Sequence, residues 1–172
     1  ALNTSKVKNM SNMFYNAQIP SVSLSGLDCS EVTDMEAMFM NASISQIDLT
    51  GLRTSKLTSM GSMFEGCQIK DNLDLSGFNT EKVTSMSSLF KNCTATDICL
   101  TSFKTSNVTD MSSMFEGCSK LTSLDLTTSI PRMYKTIAAC SRTVRRSPLS
   151  LLAISPLVSL PIFLLCFKGV LP

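Results

Sequence analysis

Residues 103–127 read FKTSNVTDMSSMFEGCSKLTSLDLT, and the pattern recurs four times upstream. Its Met114-Phe115 pair has counterparts at Met13-Phe14, Met38-Phe39, Met63-Phe64 and Leu89-Phe90, at steps of 25, 25, 26 and 25 residues. A fixed period of this size is the mark of a stacked-repeat architecture, in which each repeat is one supersecondary unit. Five repeats follow, at residues 2–26, 27–51, 52–77, 78–102 and 103–127.

Each repeat carries two kinds of periodicity. Val7, Met10, Met13 and Phe14 open the first, and Val32, Met35, Met38 and Phe39 match them in the second. The sets Leu57, Met60, Met63, Phe64; Val83, Met86, Leu89, Phe90; and Val108, Met111, Met114, Phe115 complete the series. Spacing of i, i+3, i+6 and i+7 predicts one apolar stripe on a short helix. Two residues beyond each Phe stand Asn16, Asn41, Gly66, Asn92 and Gly117. Asn and Gly tolerate left-handed backbone, so this column reads as the helix stop. A short alternating run ends each repeat: Val22 and Leu24, Ile47 and Leu49, Leu73 and Leu75, Ile98 and Leu100, Leu124 and Leu126. Period two with one apolar face predicts a strand. The expected fold is therefore α/β, a right-handed solenoid with one short helix and one short parallel strand per 25–26-residue repeat. A lone repeat buries too little to fold, so neighbours must supply the rest of its core.

Composition narrows the function classes. The chain has 172 residues and a formal charge of +2, so no polyanion partner is implied and no nucleic-acid binding is expected. It has no His, the commonest acid–base catalyst and metal ligand. Ala1 lies just ahead of the first repeat without a basic or apolar leader segment, which reads as a fragment of a longer array lacking its own signal peptide.

Phe103, Thr105, Ser106, Val108, Thr109, Met111, Met114, Phe115 and Cys118, followed by Leu124-Asp125-Leu126, make a motif that resembles the BspA-like bacterial surface-protein repeat. That family looks like a variant of the leucine-rich repeat. The resemblance spans residues 1–127 in five copies. Departures are local: Asp28, Cys29 and Ser30 replace the usual turn, Leu89 replaces a Met, and Cys99 replaces the strand Asp. The resemblance implies a location on the cell surface or outside the cell, and a role in adhesion through a protein or extracellular-matrix ligand.

Apparent chemistry reduces to packing. Cys67, Cys93 and Cys118 share a column with Ala17 and Ala42, the pattern of a small buried slot holding free thiols. One thiolate per repeat without His makes no metal site. Nine of the eleven Met residues lie in the helix columns and read as core. Asn-x-Ser/Thr at Asn3, Asn9, Asn41, Asn92 and Asn107 follows from the Ser/Thr-rich repeat and is weak evidence of glycosylation. Asp48, Asp74 and Asp125 lie between apolar strand positions and face outward, where calcium contact is conceivable and a solvated face is favoured. No catalytic, cofactor-binding or metal residue is expected, and no enzyme. The outward strand residues remain as a partner-binding face: Ser21, Ser23, Gln46, Asp48, Asn72, Asp74, Asp97, Cys99, Ser123 and Asp125. The alternative function is a passive spacer in a longer surface protein.

Residues 128–172 lose the repeat. Residues 150–167 are nearly all apolar behind Arg142, Arg145 and Arg146, which reads as a membrane anchor, although Pro156 and Pro161 interrupt it. The favoured reading is a frame-shifted continuation after one lost base near Thr127–Thr128, because back-translation in one shifted frame permits two further Met-Phe motifs.

Overall fold

The computed structural model describes residues 3–70 and 72–125. The expectations about residues 128–172, including the apolar stretch at 150–167, lie outside the described residues. Six strands appear in chain order: β1 (Gln18–Ser23), β2 (Ser43–Asp48), β3 (Gln68–Ile69), β4 (Leu73–Asp74), β5 (Asp97–Cys99) and β6 (Ser123–Asp125). They form two three-stranded parallel sheets, β1-β2-β3 and β4-β5-β6. Register follows the repeat: Gln18 pairs with Ser43, Ser43 with Gln68, Leu73 with Ile98, and Ile98 with Leu124. Parallel pairing at one repeat's offset places like residues beside like, so Ile, Val and Leu stack in columns.

The break between the two sheets has a cause in the sequence. Two residues separate the inward Ile44 from Ile47, and two separate Ala95 from Ile98. Three residues, 70–72, separate Ile69 from Leu73. The third repeat thus holds one residue more than its neighbours between these two inward positions. The extra residue accounts for the 26-residue step, and the pairing of β2 with the third repeat ends after Ile69. Across the same interval the Thr94 hydroxyl takes over from the ladder. It accepts the Ile69 N–H at 3.0 Å and donates to the Ile69 carbonyl at 3.0 Å.

The segments expected to be helical are not helices. Among the described residues no helix forms, and each Met-Phe segment is a run of tight turns. The second repeat shows why. The amides of Met38, Met40 and Ala42 bond carbonyls three residues back, at Met35, Ala37 and Phe39. Those of Met35, Ala37, Phe39 and Asn41 bond the next repeat, at Ser59, Gly61, Met63 and Glu65. Every second amide therefore leaves the repeat, where a helix would keep them all. Backbone geometry enforces the alternation. Ala37 and Asn41 have φ of 53° and 57°, each at the third position of a four-residue turn, as a type II turn requires. An α-helix cannot contain such residues.

The expected Asn/Gly column does have left-handed geometry, at φ 56° to 72° in Asn16, Asn41, Gly66, Asn92 and Gly117. Its role is to close a turn rather than stop a helix. A second left-handed column at Asn12, Ala37, Ser62, Ser88 and Ser113 was not anticipated.

The outward amides form a ladder that crosses all four junctions with four bonds each. At the first, Met10, Asn12, Phe14 and Asn16 donate to Asp34, Glu36, Met38 and Met40. Parallel bridges run alongside, from Asn9 through Asp34, Ser59 and Ser85 to Asp110. This side of the stack is therefore continuous where the strand side is interrupted. Between the two lies the core. Phe14, Phe39, Phe64, Phe90 and Phe115 stack face to face at centroid separations of 5.1, 5.4, 5.8 and 5.3 Å. Met35, Met60, Met86, Leu57, Val83 and the strand residues Ile44, Leu73 and Ile98 are fully buried beside them.

Candidate functional site

The outward residues of the strands divide into those the fold uses and those it leaves over. Asp48 belongs to the first group. Its Oδ1 accepts the Thr50 N–H at 2.9 Å and the Thr50 hydroxyl at 2.6 Å, and its Oδ2 accepts the Ser23 hydroxyl at 2.9 Å. The Thr50 hydroxyl, then the Thr50 amide and the Ser23 hydroxyl, hold its carboxyl below the usual range. Asp74 makes the same corner, accepting the Ser76 N–H at 2.8 Å. Carboxylates and amides that bond the N–H two residues on stabilise turns. The device recurs at Asn3, Asp28 and Asn79, and again at Asn9, Asp34 and Asp110.

Gln46 and Asn72 are exposed and make no side-chain hydrogen bond among the described residues. Asp97 is half-buried and likewise unengaged. Register places Ser21 beside Gln46, Ser23 beside Asp48, Asp74 beside Cys99, Cys99 beside Asp125, and Asp97 beside Ser123. The side chains of Ser123 and Asp125 lie outside the described residues. Asp48 and Asp74 fall in different sheets and are not paired with each other. No group of three or more His, Cys, Asp or Glu among the described residues is placed to hold a metal ion.

The cysteine column is internal. Cys67 and Cys93 are buried, no disulfide joins them, and the buried Cys118 thiol contacts the Phe90 carbonyl. Burial pushes the Cys67 thiol strongly upward and the Cys93 thiol up to about 11, so neither is a nucleophile at neutral pH. Buried Thr hydroxyls tie repeat to repeat. Thr54 accepts from the Asn79 amide at 2.8 Å and donates to its carbonyl at 3.1 Å, and Thr80 does the same with Lys104 at 2.7 and 3.0 Å. Cys29 occupies this place in the second repeat, where it points at the Met10 sulfur instead.

One surface feature was missed by sequence reasoning. Met13 and Tyr15, in the first repeat, are 48% and 46% exposed, whereas the counterparts of Met13, Met38 and Met63, are fully buried.

Repetition, parallel register and inter-repeat ladders define a repeat protein. The family model described as "Mycoplasma protein of unknown function, DUF285" matches residues 1–72 and again residues 68–140, and the chain belongs to that family. No curated protein and no solved structure matches it. Among the described residues no helix is long and apolar enough to cross a membrane.

Proposed function

We propose that this chain is a non-enzymatic surface repeat of the BspA-like kind, wound as a right-handed leucine-rich-repeat-like solenoid, that binds a protein ligand on the outward face of its strands. The observation that carries the reading is the contrast on that face. Asp48 and Asp74 are spent on their own turns, while Gln46 and Asn72 stand exposed with no side-chain hydrogen bond among the described residues. Parallel strands joined by returning turns favour the right-handed sense. The family resemblance supports adhesion at a cell surface, with an extracellular-matrix protein as ligand.

The test is binding of the full chain to surfaces coated with collagen, laminin or fibronectin. Gln46→Ala with Asn72→Ala should abolish it while leaving thermal unfolding unchanged. Binding that survives both substitutions would remove the sheet face from consideration. Asp48 favours a second reading, a passive spacer, because both its oxygens are committed within the fold. On that reading none of the coated surfaces retains the chain.

A further inference from the structure

We infer that the junction between the second and third repeats is a hinge: it opens on the strand side, turns about the continuous amide ladder, and is clasped by the Glu31–Lys56 ion pair. Two ties that other junctions possess are missing there. At the strand ends, Leu24 donates its amide to the Asp48 carbonyl at 2.9 Å, and Leu75 donates to the Cys99 carbonyl at 3.2 Å. Leu49 is their counterpart, and its amide makes no such bond to Asp74. Pairing across this junction stops at Ile44 with Ile69. At the corner beyond the strands, buried Thr hydroxyls tie the other junctions, Thr4 to Asp28, Thr54 to Asn79 and Thr80 to Lys104. Cys29 stands in that row at the second junction. Its thiol turns back to the Met10 sulfur at 3.8 Å and leaves the Arg53 backbone unheld.

An ion pair spans the corner instead. The Lys56 Nζ lies 2.6 and 2.7 Å from the two Glu31 oxygens, with side chains 48% and 38% exposed. An exposed pair is a weak tie that salt screens. The opposite side stays fastened, since Met35, Ala37, Phe39 and Asn41 donate their amides across the same junction. One bonded side and one loose side make a hinge. The lining agrees: Ile47 is half-buried, whereas Leu73 and Ile98, its counterparts in the next two repeats, are fully buried. Gln46 and Asn72 stand on the two repeats that the hinge joins. The consequence for them rests on the binding face proposed above: opening changes the spacing of the two amides, so a ligand that takes both favours the closed form.

Cys29, fully buried at the loose corner, reports the opening. The full chain, free of any ligand, is treated with iodoacetamide under native conditions, and alkylation of each thiol is followed by mass spectrometry. Cys67 and Cys93, as deeply buried on the fastened side, are the references. Cys29 should react at least about tenfold faster, the fold-change expected of two missing hydrogen bonds. Raising the salt from about 20 to 500 mM should speed it by roughly two- to fivefold, the strength of one exposed ion pair. Lys56→Gln should bring the same acceleration at low salt and leave no further response to salt. Cys29 reacting no faster than Cys67 and Cys93 overturns the hinge. So does fast reaction that neither salt nor Lys56→Gln changes, which would place the exposure outside this junction. With no ligand present, these outcomes are read apart from the fate of the binding face.

Discussion

Gly66→Ala isolates the turn-closing column. Gly66 sits at φ 64°, where a Cβ costs roughly 1–2 kcal/mol, and the Ala gains back about 0.5 through its less flexible unfolded chain. A second cost comes from the neighbouring repeat. The new Cβ would meet the Oδ1 of Asn41, one place up the same column. That oxygen is the far end of a side chain, so the amide must leave its rotamer, at about 0.5–1.5 kcal/mol. Together these predict a loss of about 1–3 kcal/mol for the full chain in urea unfolding. Asn41→Gly removes the obstructing amide without adding left-handed strain. In that background Gly66→Ala should cost less by the rotamer contribution. Gly117, facing the Oδ1 of Asn92, offers an independent repetition of the cycle. Equal costs with and without the Asn41 amide would refute the inter-repeat contact, and a stabilising Gly66→Ala would refute the whole account of the column.

Three further outcomes are expected. Thr80→Val should cost about 1–3 kcal/mol by stranding both backbone groups of Lys104, while Thr80→Ser keeps most of the stability, read by thermal unfolding of both variants. Cys29→Thr should restore the missing hydroxyl opposite Arg53 and gain about 0.5–1.5 kcal/mol, and a loss of stability would mean the slot cannot take a branched side chain. Cys93 keeps its proton in the fold to about pH 11 but loses it near 9 when unfolded, so its contribution is intact below pH 9 and declines as pH rises toward 11. The decline is about 1.4 kcal/mol per pH unit for each such thiol, and Cys67→Ala with Cys93→Ala should flatten a stability profile taken from pH 8 to 10.

Much of this organisation was legible because the repeat makes each column speak five times. The Asn/Gly alternation at Asn16, Asn41 and Gly66 announced left-handed backbone, and the strand alternation at Ile47 and Leu49 announced pairing. The helix failed for a specific reason. Residues i, i+3 and i+4 share a face in consecutive tight turns as well as in a helix, so Met35, Met38 and Phe39 point inward either way. What would have separated them is the left-handed column at Ala37, Ser62 and Ser88, and those residue types carry no such signal. At the candidate face, outward orientation was readable from the strand period, but the corner role of Asp48 and Asp74 was overlooked. Thr50 and Ser76, each two residues on, were the clue to a side chain spent on its own turn.

An array that grows by duplication must keep every new copy in phase with the last, and the extra residue between Ile69 and Leu73 shows where errors of copying are harmless. On the turn side each junction uses every second amide, so one inserted residue would swap inward and outward groups and misalign all four bonds. The interval between the two inward strand positions, by contrast, lies outside that ladder. Ile69 and Leu73 both still reach the core with an additional residue between them. The Phe column and the amide ladder pass that level undisturbed. Gains of length in such arrays should therefore collect on the strand side, the side that also carries the exposed Gln46 and Asn72. The surface free to change in length is the one free to change in what it meets.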